Sequence, residues 1–203
     1  YGLELDNVRV EVRGDELPIL DGSAQVWVEA IDRAGRQPQK APRRYLEVLA
    51  PVEVREGDRW VRLDPGEGFA ISAAIEFDHP SVGRQSLELE LTPHNFRKEL
   101  GWARTFGFFE NVEGLRRLGL IQGGSLQNAV VFDRDGVMNP EGLRAPDEPI
   151  RHKILDMIGD LSLIGGSLRG SFRAERPGHA LTRKLVEEVL GRHEVLRLVS
   201  LEK

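Results

Sequence analysis

Two hydrophobic periods divide this chain, and their order restricts the fold. Phe69, Ile71, Ala73, Ile75 and Phe77 recur at every second position, as do Leu87, Leu89 and Leu91; that is the period of a strand with one buried face. Tyr45 to Val54 and Arg59 to Leu63 flank Glu56-Gly57-Asp58, a hairpin signal. From Pro149 the period changes. Ile154, Leu155, Ile158 and Leu161 fall at helical spacing, and Gly165-Gly166 closes that run. Leu168 to Ala174 reads as a strand, Gly178 to Arg192 as a helix, and Val195 to Leu201 as a weakly alternating last strand. Strands with hairpins among them, followed by helices, predict an α+β chain built in sheet and helix layers.

Shorter signals fill in the rest. Val8, Val10 and Val12 alternate with Arg9 and Glu11, which predicts a half-buried strand. Pro18 to Ser23 is turn-rich, and Val26 to Ile31 opens a helix. Ala34 to Pro42 is poor in apolar residues and reads as a linker, dividing the chain into residues 1–38 and 39–203. Thr92 followed by Pro93 starts a helix that ends near Leu100-Gly101. Asn111 can cap a short helix through Leu118, Asn128 to Phe132 reads as a strand, and Asp133 to Gly136 as a turn. No internal repeat is present.

Composition narrows the chemistry. With 40% hydrophobic and 30% charged residues in 203, the chain has the balance of a soluble globular protein. No apolar run approaches a membrane span, and the start is not a signal peptide, so a cytoplasmic location is expected. The chain begins with Tyr1 and not Met, and the natural N-terminus is expected further upstream. Cysteine is absent, so a metal would be held by His, Asp, Glu and water. A net charge of -5 argues against bulk nucleic-acid binding.

Arg151 to Asp160 is the densest stretch. His152, Asp156 and Asp160 are spaced by four, so they share one helix face. An imidazole and a carboxylate one turn apart can converge on one cation; they can equally form an exposed pair. Another histidine, His179, follows in Pro177-Gly178-His179-Ala180, again ahead of a helical pattern. His79, His94 and His193 have no constellation around them and read as structural or surface residues.

Taken together, RHKILDMIGDL, PGHAL, ARTFGF, GGSLQNAVVF and PILDGS resemble the zinc-dependent UDP-3-O-acyl-N-acetylglucosamine deacetylases of lipid A biosynthesis, in order and over nearly the whole chain. The resemblance implies two sheet-plus-helix domains facing each other across the active site, the first incomplete here. It implies His152 and Asp156 as zinc ligands, His179 as the catalytic histidine, Asp160 as the carboxylate that orients it, and Thr105 as a hydroxyl near the oxyanion. Lys153 would lie by the nucleotide sugar, where a lysine can serve a diphosphate as a point charge. Arg176 stands where many members carry a lysine that contacts the diphosphate, and Phe77 resembles the aromatic that stacks on uracil. An insert at about 107–137 resembles the acyl-chain passage, with Phe106, Phe108, Phe109, Val112, Ile121, Ser125, Leu126 and Val131 as expected substrate contacts. Burying an acyl chain there gains roughly 0.8 kcal/mol per methylene.

Two departures accompany the match. Thr182-Arg183 replaces the polar pair that often follows GHAL. The family also carries a Glu-His pair, the general base and third ligand, just before the segment resembling Tyr1 to Asn7. This chain begins after that pair, so it is expected to be inactive alone and to leave its first domain with exposed edges. The expected partner is the UDP-sugar substrate, and the expected state a monomer. A noncatalytic nucleotide-sugar or acyl-chain binding fragment is the alternative, and a different zinc hydrolase on a similar scaffold a third.

Overall fold

The computed structural model describes residues 1–110 and 123–200. The chain is α+β, as its periods predict. One helix, α1 (Gln25–Ala34), precedes five strands: β1 (Arg44–Val48), β2 (Val52–Glu56), β3 (Arg59–Asp64), β4 (Phe69–Glu76) and β5 (Arg84–Glu90). A short helical segment follows, α2 (Pro93–Asn95) running into a π-helical turn at Phe96–Leu100. Then come β6 (Phe106–Phe108), β7 (Val130–Phe132), α3 (Glu148–Leu161), β8 (Ser167–Glu175), α4 (His179–Leu190) and β9 (Leu196–Ser200). Thr92 caps α2 as its sequence position predicts, its hydroxyl accepting from Asn95 N at 3.1 Å.

The strand β8 organises the large sheet. Its C-terminal half lies between β3, antiparallel with Leu63 opposite Phe172, and β4, parallel with Ile71 opposite Phe172. Its N-terminal half pairs in parallel with β1, which β9 then flanks. The switch of partners falls at Gly170, where an added Cβ would stand 2.6 Å from Asp64 O and 2.9 Å from Val48. Only glycine lets the strands approach so closely.

One face of this sheet carries Val61, Leu63, Ile71, Ala73, Ile75 and Phe172, all buried beneath Ile150, Ile154, Met157 and Leu161 of α3 and Leu181, Leu185 and Val189 of α4. The opposite face is half-exposed and carries ion pairs such as Arg62–Asp64 and Arg173–Asp64; such pairs contribute tenths of a kcal/mol, roughly. The strands β6 and β7 form a separate parallel pair, Phe106 opposite Val130.

Two expectations change. Residues 8–12 form no strand: Val8, Val10 and Val12 are exposed, and no ladder partner lies beside them among the described residues. Alternation specifies which face a strand would bury, not whether a neighbour exists to hydrogen-bond it. The run Tyr45 to Val54 is two strands, interrupted before Val52 by Pro51, which has no N–H to give a ladder. The predicted helix at Asn111 to Leu118 lies outside the described residues. No helix among the described residues is long and apolar enough to cross a membrane.

Candidate active site

The helix α3 buries Ile154, Ile158 and Leu161 against the sheet, and this rotation sets its polar stripe. His152 lies at the buried edge of that stripe. Its Nδ1 stands 2.9 Å from Ala103 O. A carbonyl only accepts, so Nδ1 carries the proton and donates. His152 Nε2 faces Asp156 Oδ1 at 3.1 Å. With Nδ1 donating to Ala103 O, Nε2 is the nitrogen left facing the carboxylate, and at that distance a proton or a cation must lie between them. An imidazole nitrogen and a carboxylate oxygen so placed are donors that could hold a cation such as zinc. Among the described residues no group of three His, Cys, Asp or Glu is placed to hold a metal.

One turn further, Asp160 accepts from His179 Nδ1, both carboxylate oxygens lying 3.0 Å away. His179 is the first residue of α4, and its backbone follows Gly178 in extended conformation. Fixing Nδ1 as the donor aims Nε2 the other way, 3.8 Å from Asp156 Oδ2. The two histidines thus approach Asp156 from its two oxygens. Lys153 Nζ reaches Asp156 Oδ2 at 2.8 Å and lies 5.4 Å from the centre of the Phe106 ring. Lys153, Asp156, Met157, Asp160, Pro177, Gly178 and His179 line a small depression there.

The two carboxylates differ in acidity. Burial alone would raise Asp156, but the hydrogen bond and charge of His152, with the Lys153 ammonium, outweigh it and hold the carboxyl well below the usual range. Burial is also the largest influence on Asp160; the His179 hydrogen bond opposes it only in part, the Asp156 charge adds to it, and Asp160 ends above its ordinary value.

Among the other expected residues, Phe106 is the ring beside Lys153. Thr105 joins three segments: its N–H donates to Gly22 O at 2.8 Å, and its carbonyl accepts from Val130 N at 2.8 Å. Phe77, Phe106 and Phe108 cluster with Phe132, and the Phe77 centroid lies 5.6 Å from Phe106 and 5.2 Å from Phe108. Phe109 is exposed, and Ser125, Leu126 and Val131 are half-buried. Val112 and Ile121 lie outside the described residues. Arg176 adopts φ 46° and is paired with Glu76 and Asp58, so a diphosphate would compete with two carboxylates for it.

Sequence reading missed several partners. His79 is half-buried between Phe108 and Phe132, with Nε2 donating to Asp133 O at 2.5 Å and Nδ1 accepting from Ser81 N. Arg104 and Glu148 form a buried pair, Nε to Oε1 2.9 Å. Arg104 was visible inside ARTFGF, but nothing in the sequence said that its carboxylate lay 44 residues on.

An α+β fold that brings two histidine–carboxylate contacts to one helix is arranged as in acid–base hydrolases. Comparison with known proteins names the family. The family described as UDP-3-O-acyl N-acetylglycosamine deacetylase matches residues 1–191, and the chain belongs to it. A UDP-3-O-acyl-N-acetylglucosamine deacetylase of Anaeromyxobacter sp. (strain Fw109-5) is 50% identical over 202 residues, covering 98% of this chain and 66% of that protein. Proteins of the same name from Phenylobacterium zucineum (strain HLK1) and Shewanella loihica (strain ATCC BAA-1088 / PV-4) are 49% and 44% identical, each matched over 67% of its length. The chain thus spans about two thirds of the length of these relatives.

Proposed function

We propose that this chain carries the catalytic helix of a zinc-dependent deacetylase that hydrolyses the N-acetyl group of UDP-3-O-acyl-N-acetylglucosamine in lipid A biosynthesis. The observation that carries this reading is the approach of His152 and His179 to opposite oxygens of Asp156, at 3.1 Å and 3.8 Å. One histidine is presented as a donor to a cation, the other as a movable proton beside it.

His152 Nε2 and Asp156 would hold the zinc. The chemistry that zinc supplies when bound is Lewis-acid polarisation of an amide carbonyl and of water. Asp160 fixes the His179 ring through Nδ1, so that a proton on Nε2 can hydrogen-bond a developing oxyanion. When the acetamide C–N bond breaks, His179 gives that proton to the departing nitrogen, leaving acetate and the free amine of the UDP-sugar. Lys153 places a positive charge at the edge of the depression, beside the Phe106 ring, suited to the sugar nucleotide. Water loses its own proton to a carboxylate base, which the resemblance assigns to a Glu-His pair outside the motifs matched here. The division at residues 34–42 and the acyl passage at about 107–137 complete the reading.

The test uses a longer protein that contains this chain and deacetylates the UDP-sugar. His179→Ala should lower turnover about 100-fold or more, the scale for a positioned acid, and leave zinc content unchanged. Asp156→Ala should lose zinc and activity together. Zinc lost from His179→Ala but kept by Asp156→Ala would reverse the assigned roles.

A further inference from the structure

The buried pair Arg104–Glu148 lies next to His152 in a way that neither the ligand set nor the proton transfer uses. Ala103 O, which receives the His152 Nδ1 proton, and Arg104 N belong to the same peptide group. Arg104 N donates to Glu148 Oε1 at 3.0 Å, and His152 donates to Ala103 O at 2.9 Å. Glu148 and His152 are one turn apart on α3. A single peptide group is therefore gripped at its N–H by one residue of the helix and at its C=O by the next turn of the same helix.

We propose that Glu148 is a positioning residue for His152, acting through the Ala103–Arg104 peptide. The carboxylate is itself held rigidly: it accepts from Arg104 Nε at 2.9 Å, Arg104 Nη2 at 3.2 Å and Arg144 N at 2.7 Å as well. Glu148, Ala103 and His152 are 1%, 0% and 6% exposed, so water does not compete for these bonds. An anion accepting from a peptide N–H shifts electron density onto its carbonyl oxygen, and hydrogen bonds in such a chain strengthen one another. The carbonyl then holds the Nδ1 proton more firmly. Nε2 is then the nitrogen held towards Asp156 before any metal arrives. It is the carboxylate–histidine support of metal sites, with a peptide group inserted between the two side chains. Glu148→Ala leaves the peptide free to turn, whereas changing the Arg104 side chain leaves its N–H in place.

The experiment reads the His152 ring by nitrogen-15 NMR in the metal-free 203-residue chain, then titrates zinc. The unaltered chain should show Nδ1 carrying a slowly exchanging proton; a ring with Nδ1 unprotonated, the Nε2–H tautomer, would overturn the proposal at once, whatever the variants do. Glu148→Ala should mix the tautomers, expose the proton to exchange and weaken zinc binding about 10-fold or more. Glu148→Gln keeps an acceptor for Arg104 N and should keep the tautomer while exchange quickens. Arg104→Gln should lower the melting temperature yet leave the His152 signal unchanged. Equal loss of that signal in Arg104→Gln and Glu148→Ala would reduce the pair to an ordinary structural contact. The zinc arm rests on the function proposed above; the tautomer arm does not. No zinc binding with the tautomer intact would sink the metal reading alone.

Discussion

At the scale of a residue, chemistry here comes from the one group each side chain faces. Asp156 and Asp160 share a helix stripe, yet His152 and Lys153 hold one carboxyl low, while burial and the neighbouring Asp156 charge raise the other. Tyr1 gives the plainest test of such a shift. Its ring meets Phe69 edge-on at 6.4 Å, and its hydroxyl oxygen accepts from Leu168 N at 2.9 Å. Burial dominates and pushes the phenol up to about 12, although the Leu168 bond and the Arg43 charge pull the other way. A raised folded value means the fold prefers the protonated phenol. The stability it contributes is full below the ordinary value of 10.0 and is lost as pH rises towards about 12. An ultraviolet titration should show one of the two tyrosines ionising near 12; two phenols titrating together at the ordinary value would contradict the burial described here.

Among the elements, the turn Asp21-Gly22-Ser23 fastens the first segment to the site. Asp21 pairs with Arg144 at 2.8 Å, and Gly22 O accepts from Thr105 N. Gly22 has φ 82°, and an added Cβ would stand 2.1 Å from Asn128 O and 3.2 Å from the Thr105 methyl. Gly22→Ala must therefore push the turn away from β6 and β7. The cost should be about 1–3 kcal/mol, read as a lower denaturation midpoint with shifted amide signals at Thr105 and Val130. An unchanged midpoint would mean that the first segment is not docked as described. The sequence marks this stretch only as turn-rich. Glycine and aspartate announce a turn, but the strand pair it packs on lies about a hundred residues further along the chain.

For the whole molecule, the question is how complete the site is. Two donors, His152 and Asp156, face each other, and among the described residues no third His, Cys, Asp or Glu joins them in a metal-holding group. Each missing donor removes a coordinate bond and its pre-organisation. On the two-ligand reading proposed above, the 203-residue chain should bind zinc weakly. Tight, stoichiometric zinc in a titration of this chain would demand a third ligand outside the set described.

The sequence by itself determined the elements and their faces. Period-two runs placed β4 and β5, a hairpin signal placed β3, helical spacing placed α3 and α4, and Thr92-Pro93 placed the start of α2, because local sterics and one-sided burial act over a few residues. Spacing by four likewise put His152, Asp156 and Asp160 on one stripe. The motif resemblance reached the family. Pairing across distance was decided only by the tertiary structure. Val8 to Val12 has the alternation of a strand and no ladder; Arg104 has a carboxylate 44 residues away; His179 meets Asp160 because α4 packs against α3. A periodic pattern states what a segment would bury, and only the folded chain supplies the surface or the partner that receives it.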